Sequence, residues 1–423
     1  MPVNKSLRTV SPLPSGAWMI VALLWFAGCS NYVTRMMLPT MRGSIMTDIP
    51  MTEAQFGLLT SVFLWVYAFA SPVGGFLADR FSRSLVIITS SFAWSLITWL
   101  MAYATTFSEL LALRALLGLA QACYIPAALA LIVDYHRGPT RSLATGVNMT
   151  GLVFGSTIAA LGGWLAENHT WSYAYTVIGV PSIALSVLLV FFLRDGPHES
   201  AVAVPAAGPV VKVDFGAALL SLGRNGAFYL MISCWCLQGA VSWMIIGWMP
   251  THMSEQFNMG QGAAGFSALG YLFATQMLGL LVGGFWSDRW SLTNARARII
   301  IPVIGLFVAA PALWLTGYSN ILAFTILSLI LYGLAMGFLG ANMMPIICLI
   351  IDARYRATAL GVLNCFTACF GGASIYLVGA LRDAEVGLSM ILTFAGVGVV
   401  LCGVFLLLIN AALRKSYDAK RVA

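Results

Sequence analysis

Twelve runs of roughly 20 apolar residues follow one another along this chain, centred near residues 28, 65, 94, 121, 154, 182, 238, 275, 308, 334, 369 and 400. A helix rises ~1.5 Å per residue, so each run matches the ~30 Å hydrocarbon core of a bilayer. In lipid every backbone N–H and C=O must be satisfied within the segment, which a helix achieves and an open strand does not. Composition agrees. The chain is 60% hydrophobic and 9% charged, with mean hydropathy +0.89, and a soluble chain of 423 residues could not keep that much apolar surface from water. It reads as an all-α membrane protein of twelve transmembrane helices, with the lipid bilayer as its surroundings.

Charge then orients the spans. Eighteen of the 22 Lys and Arg lie at the two ends of the chain or in the even-numbered loops. An excess of this size predicts a multi-pass inner-membrane protein with both termini cytoplasmic. The net charge of +7 follows from that topology, so no nucleic-acid partner is expected. Four residues break the pattern: Arg42 and Arg382 lie in odd-numbered loops, and Arg35 and Arg114 lie inside spans. All eight Cys fall in apolar spans, which argues against a disulfide framework. Cys365 and Cys369 share a helix face, but no His or carboxylate accompanies them, so neither a metal nor a cofactor is expected. "FAGCS" around Cys29 has the wrong Phe26 for a lipoprotein cleavage box, and the first span reads as retained.

The chain repeats itself. "GGFLADRF" at 74–81 returns as "GGFWSDRW" at 283–290, "LPTM" after the first span as "MPTHM" after the seventh, and "RSLATG" at 141–146 as "RATALG" at 356–361. Three matched pairs at nearly constant offset indicate two six-span halves, residues 1–194 and 226–423. Between them 195–225 reads as a Pro- and Ala-rich cytoplasmic linker, with "FGAALLSLGRN" as a short surface helix.

These features resemble the major facilitator superfamily. Its motif after the second span is matched by Gly75, Leu77, Ala78, Asp79, Arg80 and Arg83, with Ser82 and Ser84 as departures. Its R-x-x-x-G motif on the fourth span is matched by Arg114 and Gly118, with Pro126 further on. The resemblance implies two six-helix pseudo-repeats that rock about a midplane site. Within the superfamily, "NYVTR" and "RALLGLAQACYIP" look like the anion:cation symporters of sugar acids and other organic anions. The same segments also look like spinster-type lipid transporters; "NMMPIICLIIDARYRATALGVLN" favours the first group.

The resemblance further implies that Asp79 faces the start of span 11, where a carboxylate stabilises a helix N-terminus. Asp288 is its counterpart at span 5. Arg80 or Arg83 is expected to reach Asp134, and Arg289 to reach Asp352. Arg141 and Arg356 belong to the same set, a latch expected to exist only while the cytoplasmic side is closed.

All fifteen Asp and Glu fall at span ends or in loops. Arg35 and Arg114 are therefore the only charges at membrane depth, and a cation there costs at least ~2.5–3.5 kcal/mol unless something accepts it. Arg35 lies in the outer third of its span, and Arg114 ~10 Å below the start of an inward-running one. Two guanidiniums at like depth are expected to converge on one cavity and bind an anion, since planar forks suit carboxylates. Asn31 and Tyr32, four and three residues before Arg35, adjoin it. Tyr67, Gln121, Asn148, Gln238 and Asn364 join the candidate substrate-binding set, with Gln276 and Asn342 as further polar positions; Tyr124, Trp235 and Trp243 are candidate platforms for a sugar ring. The competing reading for Arg35 is snorkelling to Glu53 or headgroups, for Arg114 a structural or gating role, and for the three aromatics plain packing. For the polar side chains it is interhelical hydrogen bonding.

The sugar-acid symporters usually carry acids where this chain has Thr34 and Gln121. Neither titrates, which leaves the coupling ion open between H+ and Na+. The expected function is a monomeric secondary or facilitative transporter of a small organic anion, such as a hexuronate, aldonate or sialic acid. Alternatives are a lysolipid or amphiphile carrier and a non-transporting nutrient sensor. No HExxH, paired intramembrane carboxylates or Ser–His pairing is present, so an enzyme is not expected.

Overall fold

The computed structural model describes residues 16–136, 140–196, 220–294, 296–317 and 319–422. Among these residues twelve helices are long and apolar enough to cross a membrane, and there are no strands. They are α1 (Ala17–Met36), α2 (Glu53–Ala78), α3 (Arg83–Met101), α4 (Phe107–Tyr135), α5 (Leu143–Asn168) and α6 (Trp171–Phe192). In the second half they are α7 (Gly226–Phe257), α8 (Gln261–Ser291), α9 (Ala297–Thr316), α10 (Leu322–Ile350), α11 (Thr358–Asp383) and α12 (Leu388–Arg414). The face where α1 begins and α12 ends is called the terminal face below, and the opposite one the distal face. The linker lies largely outside the described residues, which show one helical turn at 220–223 before Asn225 caps α7.

Local chemistry sets the helix starts. Thr52 with Gln55 and Thr106 with Glu109 form reciprocal capping boxes at the distal starts of α2 and α4, and Thr170 caps α6. Each satisfies N–H groups that the following turn cannot. α4 is interrupted at Cys123. Pro126 explains the break, because its ring crowds the carbonyl four residues back, that of Ala122. α2 passes beside this break at Gly74, where a methyl group would sit 2.7 Å from the Ala122 carbonyl oxygen.

Lipid offers no hydrophobic drive between helices, so close approach through small residues replaces it. α2 crosses α4 at Gly118, where an added Cβ would lie 2.6 Å from the Phe63 carbonyl oxygen. α8 crosses α10 where Gly279 and Gly337 meet, an added Cβ on Gly337 falling 2.5 Å from the Gly279 Cα. Large apolar side chains such as Phe69, Phe191, Leu281 and Phe285 point outward. At these crossings glycine faces protein.

The two halves meet mainly where α2 runs antiparallel to α11. From the distal face inward, Glu53 abuts Gly379, Gly57 abuts Ile375, Ser61 bonds the Gly372 carbonyl at 2.6 Å, and Trp65 bonds the Cys369 carbonyl at 3.0 Å. These contacts stop at mid-depth. Nearer the terminal face, a methyl added at Gly75 (α2), Gly146 (α5) or Gly361 (α11) would find nothing within 4 Å. Among the described residues the two halves are thus closed together distally and apart toward the terminal face.

Candidate functional site

Arg35 sits in the last turn of α1, 5% exposed. Its Nε donates to Gln121 Oε1 at 3.2 Å and one Nη to Asn31 Oδ1 at 3.4 Å. The Gln121 amide nitrogen in turn donates to Thr34 Oγ1 at 2.9 Å and to the Asn31 carbonyl at 3.1 Å. Gln121 thereby ties α4 to α1 and fixes the guanidinium plane. Three rings surround the charge, with centroids 4.4 Å (Tyr67), 4.6 Å (Tyr32) and 5.1 Å (Phe63) from its central carbon. Amide oxygens and ring quadrupoles make such a cation tolerable without neutralising it. Snorkelling to Glu53 does not occur: that carboxylate is held by Arg42 and Arg382 at the distal face.

Arg114 shares the Phe63 ring with Arg35. Its central carbon lies 4.7 Å from the same ring centroid, so the two cations are no more than about 10 Å apart. It is fully buried, gives Nε to the Leu59 carbonyl at 3.0 Å, and leaves both Nη atoms without partners. Neither arginine lines the cavity between α7, α8 and α10. At an effective dielectric near 20, two like charges ~10 Å apart repel by ~2 kcal/mol, which an anion at either would relieve.

The cavity lies in the other half. It encloses about 250 Å³ between α7, α8 and α10, lined by Trp235, Gln238, Ser242, Trp243, Gln276 and Tyr332 among apolar side chains, with no charged residue. Tyr332 and Ser242 share a hydrogen bond of 2.7 Å, and Gln238 donates to Ser242 at 2.9 Å. Cavity and Arg35 cluster flank one seam, since Trp243 presses on Gly371 of α11 and Trp65 on Gly372. The remaining candidates scatter. Asn148 is buried with an unpartnered Oδ1, and Asn364 is exposed on α11. Asn342 is buried and bonds the Phe338 carbonyl, and Tyr124 is buried against Trp94 with its hydroxyl on the Leu24 carbonyl. Tyr124 is therefore packing and not a platform.

At the terminal face the expected latch is only partly assembled. Arg83 pairs with Asp134, but both belong to the first half, so this contact persists while that face is open. The Arg289–Asp352 pair is not made. Asp352 is taken by Arg354, two residues away, at 3.3 Å, and Asp288 by Arg298 at 3.6 Å. Arg80, Arg141 and Arg289 are exposed, and Arg356 bonds the Ile351 and Cys348 carbonyls. The Asp79 side chain lies outside the described residues.

Sequence reasoning missed a second set of ion pairs, at the distal face. Arg42 and Glu53 pair within the first half, and Arg382 and Glu255 within the second at 2.8 Å. Arg382–Glu53 at 3.2 Å and Arg42–Glu255 at 3.4 Å then join the halves, closing a four-membered ring of alternating charge. Asp383 adds two hydrogen bonds, of 2.8 and 2.9 Å, to the exposed N–H groups of Glu53 and Ala54 at the start of α2. Burial, with Arg382 close by, pulls the Arg42 guanidinium down to about 10, and Glu255 opposes this. A signal was present: Arg42 and Arg382 are the two loop cations on the wrong side of the charge asymmetry.

Known proteins can be set beside this geometry. The family model described as Major Facilitator Superfamily matches residues 24–376. Protein spinster homolog 1 of Xenopus tropicalis is 27% identical over 395 residues, covering 86% of this chain and 72% of that protein. The hexuronate transporter of Bacillus subtilis is 23% identical over 374 residues, covering 86% and 87%. A crystal structure of a bacterial homolog of the human lysosomal transporter Spinster, inward-facing and unoccupied, superposes with a TM-score of 0.75 at 20% identity, covering 95% of this chain and 97% of the other.

Proposed function

Because this chain belongs to the Major Facilitator Superfamily, and so is a multi-pass membrane transporter, we propose that it carries a small organic anion with one carboxylate on a polyhydroxylated body, such as a hexuronate or aldonate. The observation that carries this reading is Arg35, a cation at membrane depth whose partners are amides and rings but no carboxylate. Nε and one Nη are held by Gln121 and Asn31, which leaves the other edge of the fork for the two oxygens of a substrate carboxylate. The uncharged cavity beyond the α2–α11 seam supplies Gln238, Ser242, Gln276 and Tyr332 for hydroxyl groups and Trp235 and Trp243 for the faces of a sugar ring. Its volume, a little under the ~300 Å³ at which drug-sized sites begin, suits a monosaccharide.

In this reading the terminal face is cytoplasmic and the membrane is the inner one. The distal ring opens to admit substrate, and the halves rock about the central site. Gln121 does not titrate, so anion binding is not gated by a proton at that position.

A carrier of lysolipids or other amphiphiles is the second reading. It is favoured by the mostly apolar lining of the cavity, and the first-named relative is a spinster homolog. The test is a thermal-shift and binding screen of the purified protein against sugar monoacids, sugar diacids, neutral sugars and lysolipids. Stabilisation by monoacids alone supports the proposal; stabilisation by lysolipids and not by sugar acids replaces it.

A further inference from the structure

His252 stands in the last turns of α7, one turn before Glu255, and takes no part in the site described above. It is 2% exposed, its Nε2 has no hydrogen-bond partner, and its ring meets Phe257 edge-on at 6.3 Å. The charges acting on it are Glu255 from its own helix and Arg382 from α11. Glu255 is already committed. One of its oxygens accepts from Arg382 at 2.8 Å and from Arg42 at 3.4 Å, and the other from Arg382 at 2.9 Å.

We propose that His252 makes the distal gate proton-sensitive, with acid favouring the distal-open state. An imidazolium has two N–H donors, each needing an acceptor, and burying an unpaired cation is costly. In the closed gate the nearest carboxylate is shared by two arginines, so a proton on His252 would add a third cation to a balanced ring of two and two. Opening separates Arg42 from Glu255, because they belong to different halves. It also lets water reach the end of α7. The imidazolium then pairs with Glu255 one turn away or is hydrated. The closed state thus excludes a proton that the open state accepts.

The sign follows from linkage: the state that binds more protons gains as pH falls. The open-to-closed ratio rises below the ordinary histidine range near ~6.5, by up to roughly tenfold per pH unit. The proton is released again on closure, so this device sets the balance of the two states and need not drive uphill transport.

The experiment is a spin-label distance measurement across the distal face of the purified full-length protein. The labels are on Asn168→Cys in the first half and Ala384→Cys in the second, with the eight native cysteines replaced. Between pH 8 and pH 5 the population at long distance is expected to rise by tenfold or more relative to the short one. His252→Gln is expected to keep the pH 8 distribution and lose the acid response. Should Gln at this buried position prevent folding, His252→Met serves, since it also cannot titrate. A pH-insensitive distribution in the parent protein overturns the proposal. So does an acid response that survives in the His252 variant and disappears in Glu255→Gln, which would assign the proton to the carboxylate.

Discussion

Replacing Arg35 by Lys keeps the charge at membrane depth and removes the fork. The native guanidinium is positioned by hydrogen bonds of 3.2 Å to Gln121 and 3.4 Å to Asn31, and by three rings within 5.1 Å. A lysine ammonium is a point charge on a flexible stem, and it can satisfy one of these acceptors but not hold a plane between them. A substrate carboxylate then keeps the Coulomb attraction but loses one of two parallel charge-assisted bonds, ~1.5–3 kcal/mol. At ~1.4 kcal/mol per decade this is a roughly ten- to hundredfold weaker Kd. Arg35→Gln removes the charge as well and is expected to weaken binding further. Both variants leave buried acceptors short of a donor, at ~1–3 kcal/mol each, so the melting temperature without ligand must be measured beside the affinity. Calorimetric titration or thermal shift with the best sugar acid from the screen reads the effect. If both variants bind every anionic candidate as the parent does, Arg35 is structural, and the lysolipid reading gains.

Gln121→Glu places a titratable group against Arg35 and Thr34, so anion binding should become pH-dependent, weakening as the new carboxylate ionises and competes for Arg35; a flat pH profile for this variant contradicts the assigned geometry. Sugar diacids are expected to bind at least tenfold more weakly than monoacids of the same length, because the cavity lining offers no second cation, and equal binding would show that Arg114 or another cation also reaches the substrate. Gly57→Val puts a Cβ where 2.8 Å separates it from the Ile375 carbonyl oxygen, a clash that exists only while the halves are closed distally; it should raise thiol labelling of Ser61→Cys from the distal side, and unchanged labelling would show that this seam does not part. Asp79→Asn should raise accessibility at the terminal ends of α4, α5, α10 and α11, since the carboxylate is expected to stabilise the start of α11 when that face closes, and unchanged labelling at normal protein level leaves Asp79 a marker of topology.

Some of this molecule is set by local arithmetic. Twelve apolar stretches of roughly 20 residues read as helices, because lipid leaves backbone groups no outside partner and a barrel strand would need only ~9–11 residues to span. The paired motifs around Asp79 and Asp288 declare a duplicated architecture. Arg35 is conspicuous for the same reason, since an isolated cation in an apolar run demands an explanation. That Asn31 and Tyr32 adjoin it was legible from helical spacing, whereas the Gln121 bond, spanning 86 positions, was not. Tertiary packing decided the rest. Phe63 is one apolar residue among many in α2, and only the crossing of α2 over α4 at Gly118 sets it against both arginines. The uncharged cavity gathers side chains from three helices whose facing directions depend on how the second half packs. The distal ring joins positions 42, 53, 255 and 382, which no periodicity links, because ion pairing between halves depends on which face of the molecule is closed. A sequence determines which segments enter lipid, since each segment answers that question alone; which side chains meet is a property of the pair, and of the conformational state that brings the pair together.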